Sequence, residues 1–246
     1  STQEINSQAQ NPLGIAPVGG LIAKFAIPAI ISMLVSAMYN IVDQIFIGQG
    51  VGMLGNAATN VAFPVTTIAT ALALLLGIGG ASNYNLEMGA GQEKKASGIA
   101  GTALSSLVIS GLILAVIALV FLKPLLTLFG ATTDVMPYAV DYTGITALGL
   151  PFYILSVGGN HVVRADRSPT YSMTCIMIGA IINTILDPVF IFVFGWGIKG
   201  AAWATVIGQV VSGVLVIVYF WKFRNMYLTG AMLKPKMPYQ IGRAHV

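Results

Sequence analysis

Two long apolar stretches, each with a single carboxylate sunk in it, constrain this chain more than any other feature. Ile27 to Gly48 (IPAIISMLVSAMYNIVDQIFIG) holds Asp43, and Ser172 to Gly195 (SMTCIMIGAIINTILDPVFIFVFG) holds Asp187. A helix needs about 20 apolar residues to cross the hydrocarbon core of a bilayer, and both stretches reach that length. Each places an asparagine about one helical turn before its acid, Asn40 and Asn183. An acid within a span is expensive, so it turns toward the bundle interior or a cavity and marks the path of an ion, a proton or a substrate. The pattern predicts an all-α membrane protein with a cation or proton site.

Composition agrees with lipid as the solvent. Hydrophobic residues make up 56% of the chain and charged residues only 8%, against about 25% charged in a soluble domain. So few charges cannot cover the apolar surface in water. The net charge of +4 does not indicate nucleic acid, because the basic residues sit at the ends of the apolar runs and form no single patch. Cys175 is the only cysteine and lies in an apolar run, which excludes an internal disulfide and a thiolate metal centre. Residues 1–20 are polar and lack the charged and apolar regions of a cleavable signal, so the first span itself is expected to direct insertion.

The apolar runs predict six spans, at about 21–48, 57–84, 96–122, 137–163, 172–194 and 201–221, with a short interfacial helix at Leu125 to Phe129. Residues 1–20 form a polar cytoplasmic tail, 21–222 one six-span lobe and 223–240 the start of a cytoplasmic linker. Pro28 and Pro64 are expected to bend their spans, and Gly149-Leu150-Pro151 to break the fourth. Ala73, Gly77 and Ala81, and again Ala204, Gly208 and Ser212, form small-residue faces for close helix approach. Charged turns follow at Glu87 to Lys95 and at Arg164 to Pro169.

Lys24, Lys94, Lys95, Arg164, Arg167, Lys222, Arg224, Lys234 and Lys236 fall on one side of this arrangement, and only Lys123 and Lys199 on the other. Nine against two places both termini in the cytoplasm by the positive-inside rule and predicts a multi-pass protein of the cell membrane. At ~1.5 Å per residue, Asp43, Asp187, Tyr142 and Thr205 then reach a similar depth in the outer half. Ser32, Ser36, Asn40 and Asp43 recur at helical spacing and share one face. Ser36, Tyr39, Asn40, Tyr142 and Gln209 are the expected cavity-lining residues.

Two carboxylates in a low dielectric repel unless they share a proton or take up a cation. Asn183 stacks four residues before Asp187 on one helix face. Their oxygens and the Thr205 hydroxyl suit a hard monovalent cation, Na⁺, and the acid pair suits H⁺ equally well. Asp141 and His161 read as a solvated mouth residue and a structural one. An intramembrane aspartyl protease would set its acids in a Gly-x-Gly-Asp context, which neither Asp43 nor Asp187 has.

These residues carry a family resemblance. Ile27-Pro28, Tyr39-Asn40-Ile41-Val42-Asp43, Phe63-Pro64, the Gly89-Ala90-Gly91 turn, Arg164-Ala165-Asp166 before Pro169, Asn183-Thr184-Ile185-Leu186-Asp187-Pro188 and Gly200-Ala201-Ala202-Trp203-Ala204-Thr205 resemble the multidrug and toxic compound extrusion (MATE) family, over nearly all of residues 13–225. The resemblance implies a non-enzymatic transporter of twelve spans in two lobes, of which this chain is the N-terminal lobe with the C-terminal lobe missing. It implies export of drugs and lipophilic organic cations, or other amphipathic small molecules, in exchange for Na⁺ or H⁺, with no cofactor beyond that coupling ion. It implies an ion site at Asp43, Asn183, Asp187 and Thr205, with Tyr142 nearby. A lipid-linked precursor flippase of the same superfamily is the alternative; it would favour a strongly cationic cavity, and interior Lys or Arg are scarce in these spans. Where the family usually has Gly after Arg-Ala-Asp, this chain has Arg167. Residues 241–246 look like adapter read-through and are expected to be non-native.

Overall fold

The computed structural model describes residues 18–222. Most of the N-terminal tail, the linker from 223 and the last six residues lie outside the described residues. The helices are α1 (Val18–Gly50), α2 (Met53–Gly89), α3 (Glu93–Val120), the short α4 (Leu122–Leu128), α5 (Met136–Ala165), α6 (Pro169–Pro188) and α7 (Ile198–Lys222). All but α4 are long and apolar enough to cross a membrane. No strand occurs among the described residues.

The helices run further than the apolar runs suggested. The loop expected at Gln49 to Asn56 shrinks to Val51 and Gly52, with Gly52 at φ 89. The turn between α2 and α3 tightens to Ala90, Gly91 and Gln92, and Lys95 Nζ closes on Glu87 Oε1 at 2.7 Å across it. Backbone groups near lipid have no water to bond, so a helix that continues to the headgroup region satisfies more of them. The expected break at Gly149-Leu150-Pro151 does not occur; α5 is one continuous helix. Pro151 instead sits against Gly111 of α3, so close that a β-carbon there would come within 2.5 Å of Pro151 Cα. Neighbouring helices support a proline in a span in this way.

α5 is the central post, packed against α2, α3 and α7. The α2–α5 crossing is backbone on backbone: a β-carbon on Gly77 would lie 2.5 Å from Gly158 Cα and O. The α6–α7 crossing repeats this, with Gly179 and Gly208 each directed at the other's carbonyl. In lipid, such close approach replaces the hydrophobic effect as the source of helix association.

α1 stands apart. It leans chiefly on α6 and touches α2 little. Only 6% of its most apolar window is buried. Pro28 lies inside it, and the Ser32 hydroxyl donates to the Pro28 carbonyl at 2.7 Å. At its far end α6 changes geometry. Pro188 lacks the N–H that would continue the ladder, and Val189–Val193 winds as a π-helical turn directly after it, two residues beyond Asp187.

Candidate functional site

Asp43 comes from α1 and Asp187 from the last turn of α6, and they are 6% and 0% exposed. Their carboxyl groups meet, close enough for a protonated one to donate a hydrogen bond to the other. Each also has one buried oxygen, Oδ1, with no hydrogen-bond partner among the described residues. Two acids in contact, both shielded from water, carry less than two full negative charges unless a cation lies between them.

The surrounding groups are polar and few. Asn183, buried on α6, turns its amide so that nitrogen donates to Asp187 Oδ2 at 3.3 Å and oxygen accepts from the Thr205 backbone N–H at 3.2 Å. Turned the other way, it donates to Thr205 Oγ1 at 3.3 Å. Tyr142 of α5 lies beside both acids and Tyr39, with its hydroxyl within reach of Thr205. Gln44 adds an amide beside Asp43 that the sequence pattern did not single out, and its oxygen accepts from Thr59 Oγ1 at 3.0 Å. Asp43, Asn183, Asp187, Thr205 and Tyr142 are therefore brought to one place. The clustered oxygens can hold a proton or a small hard cation.

Asn183 and Thr205 also line a cavity of about 440 Å³ inside the lobe, together with Ser36, Tyr39 and Gln209. Thr70 and Tyr153 share a hydrogen bond of 2.8 Å on its wall, and Ser156 and Ser212 one of 2.6 Å. The side-chain oxygens of Asn160 and Gln209 are buried there with no partner among the described residues, so the cavity offers acceptors to water or a bound ligand. His161 and Arg164 also line it, which gives it a basic end that the scarcity of interior Lys and Arg did not suggest.

Asn40 departs from the expected stripe. With 3.6 residues per turn it stands about 80° around the helix from Ser32, while Asp43 is only about 20° away. It is exposed, its amide donates to the Ser36 carbonyl at 2.8 Å, and it borders a separate opening with Gln44, Gly48 and Asn56. Asp141 lies away from the cavity, 3.4 Å from Lys199.

A second acidic centre lies in the turn between α5 and α6. Asp166 is 2% exposed. Tyr84 of α2 donates to its Oδ1 at 2.6 Å, and Tyr219 of α7 to its Oδ2 at 2.6 Å. Burial pushes the Asp166 carboxyl above the usual carboxylate range; the two phenols and Arg167 only partly oppose this. The group ties three helices together. Asp166→Ala orphans the buried Tyr84 hydroxyl, a loss of about 1–3 kcal/mol, and takes one acceptor from Tyr219, which keeps Ser168 Oγ at 2.7 Å, whereas Asp166→Asn keeps an acceptor and carries no charge. Thermal unfolding in detergent should therefore rank wild type above Asn and Asn well above Ala; equal losses for both variants contradict the clamp.

A family model described as MatE matches residues 28–189. The multidrug export protein MepA of Staphylococcus haemolyticus is 31% identical over 196 residues, which cover 80% of this chain and 43% of that protein. An FAD transporter of Shewanella oneidensis is 33% identical over 214 residues, covering 82% of this chain and 46% of its own. Solved structures of MATE in bent and straight conformations superpose with TM-scores of 0.81 and 0.82 at 28% identity, over 89% of this chain and 49% of theirs. The chain thus spans about half the length of the relatives it matches.

Proposed function

This chain belongs to the MatE family, and on that premise we propose that it forms the N-terminal six-span lobe of a secondary transporter that exports drugs, lipophilic organic cations and other amphipathic small molecules in exchange for Na⁺ or H⁺. The coupling ion is held at Asp43 and Asp187, with Asn183 and Thr205 completing its shell. The export of drugs by MepA, as its name states, supports the cargo class. The half-length match supports a second six-span lobe as the partner across the cleft. The basic-side bias supports a cell-membrane protein with both ends of this lobe in the cytoplasm.

The single observation behind the coupling role is the contact between two buried acids from different helices, beside a polar cavity. With the site empty, both carboxylates are charged and repel, and α1 is pushed from α6. A proton or Na⁺ removes that repulsion and draws α1 in. α1 is free to respond because α6 is its main support and Pro28 interrupts its hydrogen bonding near the other end. Bent and straight forms among the structural relatives support two states of this kind. An ion shifts such an equilibrium only by its differential affinity for the two states. The test is efflux of a fluorescent lipophilic cation from liposomes bearing the full-length transporter. An imposed inward Na⁺ or H⁺ gradient should accelerate it, and an unchanged rate contradicts coupling.

A second reading has an anionic cargo. The basic end at His161 and Arg164 favours it, as does the FAD transporter among the relatives. Gradient-driven export of FAD in place of the organic cation distinguishes the two.

A further inference from the structure

We propose that the basic end of the bundle binds the phosphate of an anionic phospholipid, in a cleft between α1, α2 and the α5–α6 turn. The cleft encloses about 480 Å³. Phe25 of α1 and Ile78 of α2 give it apolar walls, and His161, Arg164 and Arg167 give it basic ones. A lipid with a negative headgroup needs this combination of an apolar trough and converging donors, and basic pockets between helices at one membrane face are where such headgroups lodge.

The charge inventory leaves room for the anion. Arg164 is half-buried. Its Nε donates to Ser172 Oγ at 2.9 Å, and among the described residues no carboxylate lies within ion-pair range of its guanidinium. Of the acids at this end, Glu87 pairs with Lys95 and both oxygens of Asp166 accept from the phenols of Tyr84 and Tyr219, while Glu93 is exposed at the start of α3 and does not line the cleft. A half-buried guanidinium without a counter-charge gives up part of its hydration uncompensated, and its remaining N–H groups match a phosphate in geometry. Arg167 adds a second charge from a backbone conformation, φ 62, that a residue with a β-carbon adopts only at a cost.

The apolar rim favours a lipid over a free phosphate. Ile22, about one turn from Phe25 on α1, is 61% exposed, and Leu75, about one turn from Ile78 on α2, is 71% exposed. Because α1 leans on α6 and touches α2 little, the α1–α2 seam is open to an acyl chain from the side.

The test needs no transport and stands apart from the coupling reading. The full chain is placed in nanodiscs of phosphatidylcholine with a minority of phosphatidylglycerol, and native mass spectrometry counts the phosphatidylglycerol retained. Wild type should keep one. Arg164→Gln and Arg167→Gly should each lower its occupancy about tenfold, the loss of one charged contact. Arg167→Gly relieves the turn, so it keeps the test valid if Arg164→Gln fails to fold. Lys94→Gln, at the same end but outside the cleft, should leave retention unchanged. Three results overturn the proposal: equal retention in Arg167→Gly and wild type, an equal loss in Lys94→Gln, or displacement of the lipid by millimolar inorganic phosphate.

Discussion

Replacing Asp187 by asparagine should abolish ion-driven export while leaving the lobe folded. The side chain is fully buried and its carboxyl meets that of Asp43, so an amide of the same shape keeps the packing and removes the charge that the ion must neutralise. With the pair reduced to one acid, loading and unloading no longer change the repulsion between α1 and α6. The expected loss is the whole coupling, about 100-fold in gradient-driven rate, with downhill leakage of the fluorescent cation retained. Asp43→Asn should do the same, and the double variant should be no worse than either alone, because residues acting as one unit are not additive. An Asp187→Asn transporter that still accelerates with the gradient removes the acid pair from the mechanism.

The second large effect concerns the lobe itself. Gly77→Leu drives a side chain into the backbone of Gly158, where a β-carbon alone already comes within 2.5 Å. No rotamer relieves that contact, so α2 and α5 must separate, at a cost of about 3 kcal/mol or more. Gly79, two residues along the same helix, has nothing within 4 Å of a β-carbon. Gly79→Ala should instead stabilise by up to about 1 kcal/mol through helix propensity. Thermal unfolding of the two purified variants should therefore move in opposite directions. A Gly77→Leu protein as stable as wild type means that the α2–α5 contact does not hold the bundle together.

The six spans were legible because lipid enforces them: each apolar run of sufficient length must become a helix, whatever lies beside it. Asp43 and Asp187 were legible for the same reason, since each is an isolated acid where acids are expensive. What one-dimensional spacing could not give was contact between helices. Asp166 read as one charge in a turn; its role comes from Tyr84 and Tyr219, distant in sequence and brought to it only by packing. Gln44 sat beside Asp43 unnoticed, because neighbours in a helix face different ways and only the Thr59 contact fixes its orientation. Asn40 erred the other way: its spacing from Asp43 suggested a shared face, but the angle accumulated from Ser32 carries it out of the cavity. Pro151 looked like a break because a lone helix cannot tolerate it; α3 supplies the support through Gly111.

The central claim is that Asp43 and Asp187 take up one cation or proton between them. Infrared difference spectroscopy of the purified full-length protein in lipid, with the ion site emptied and then loaded by Na⁺ or by acid, reads those carboxyls directly. Loading should change carboxyl bands that are absent from the difference spectra of both Asp43→Asn and Asp187→Asn. A difference spectrum that survives unchanged in either variant contradicts the shared site.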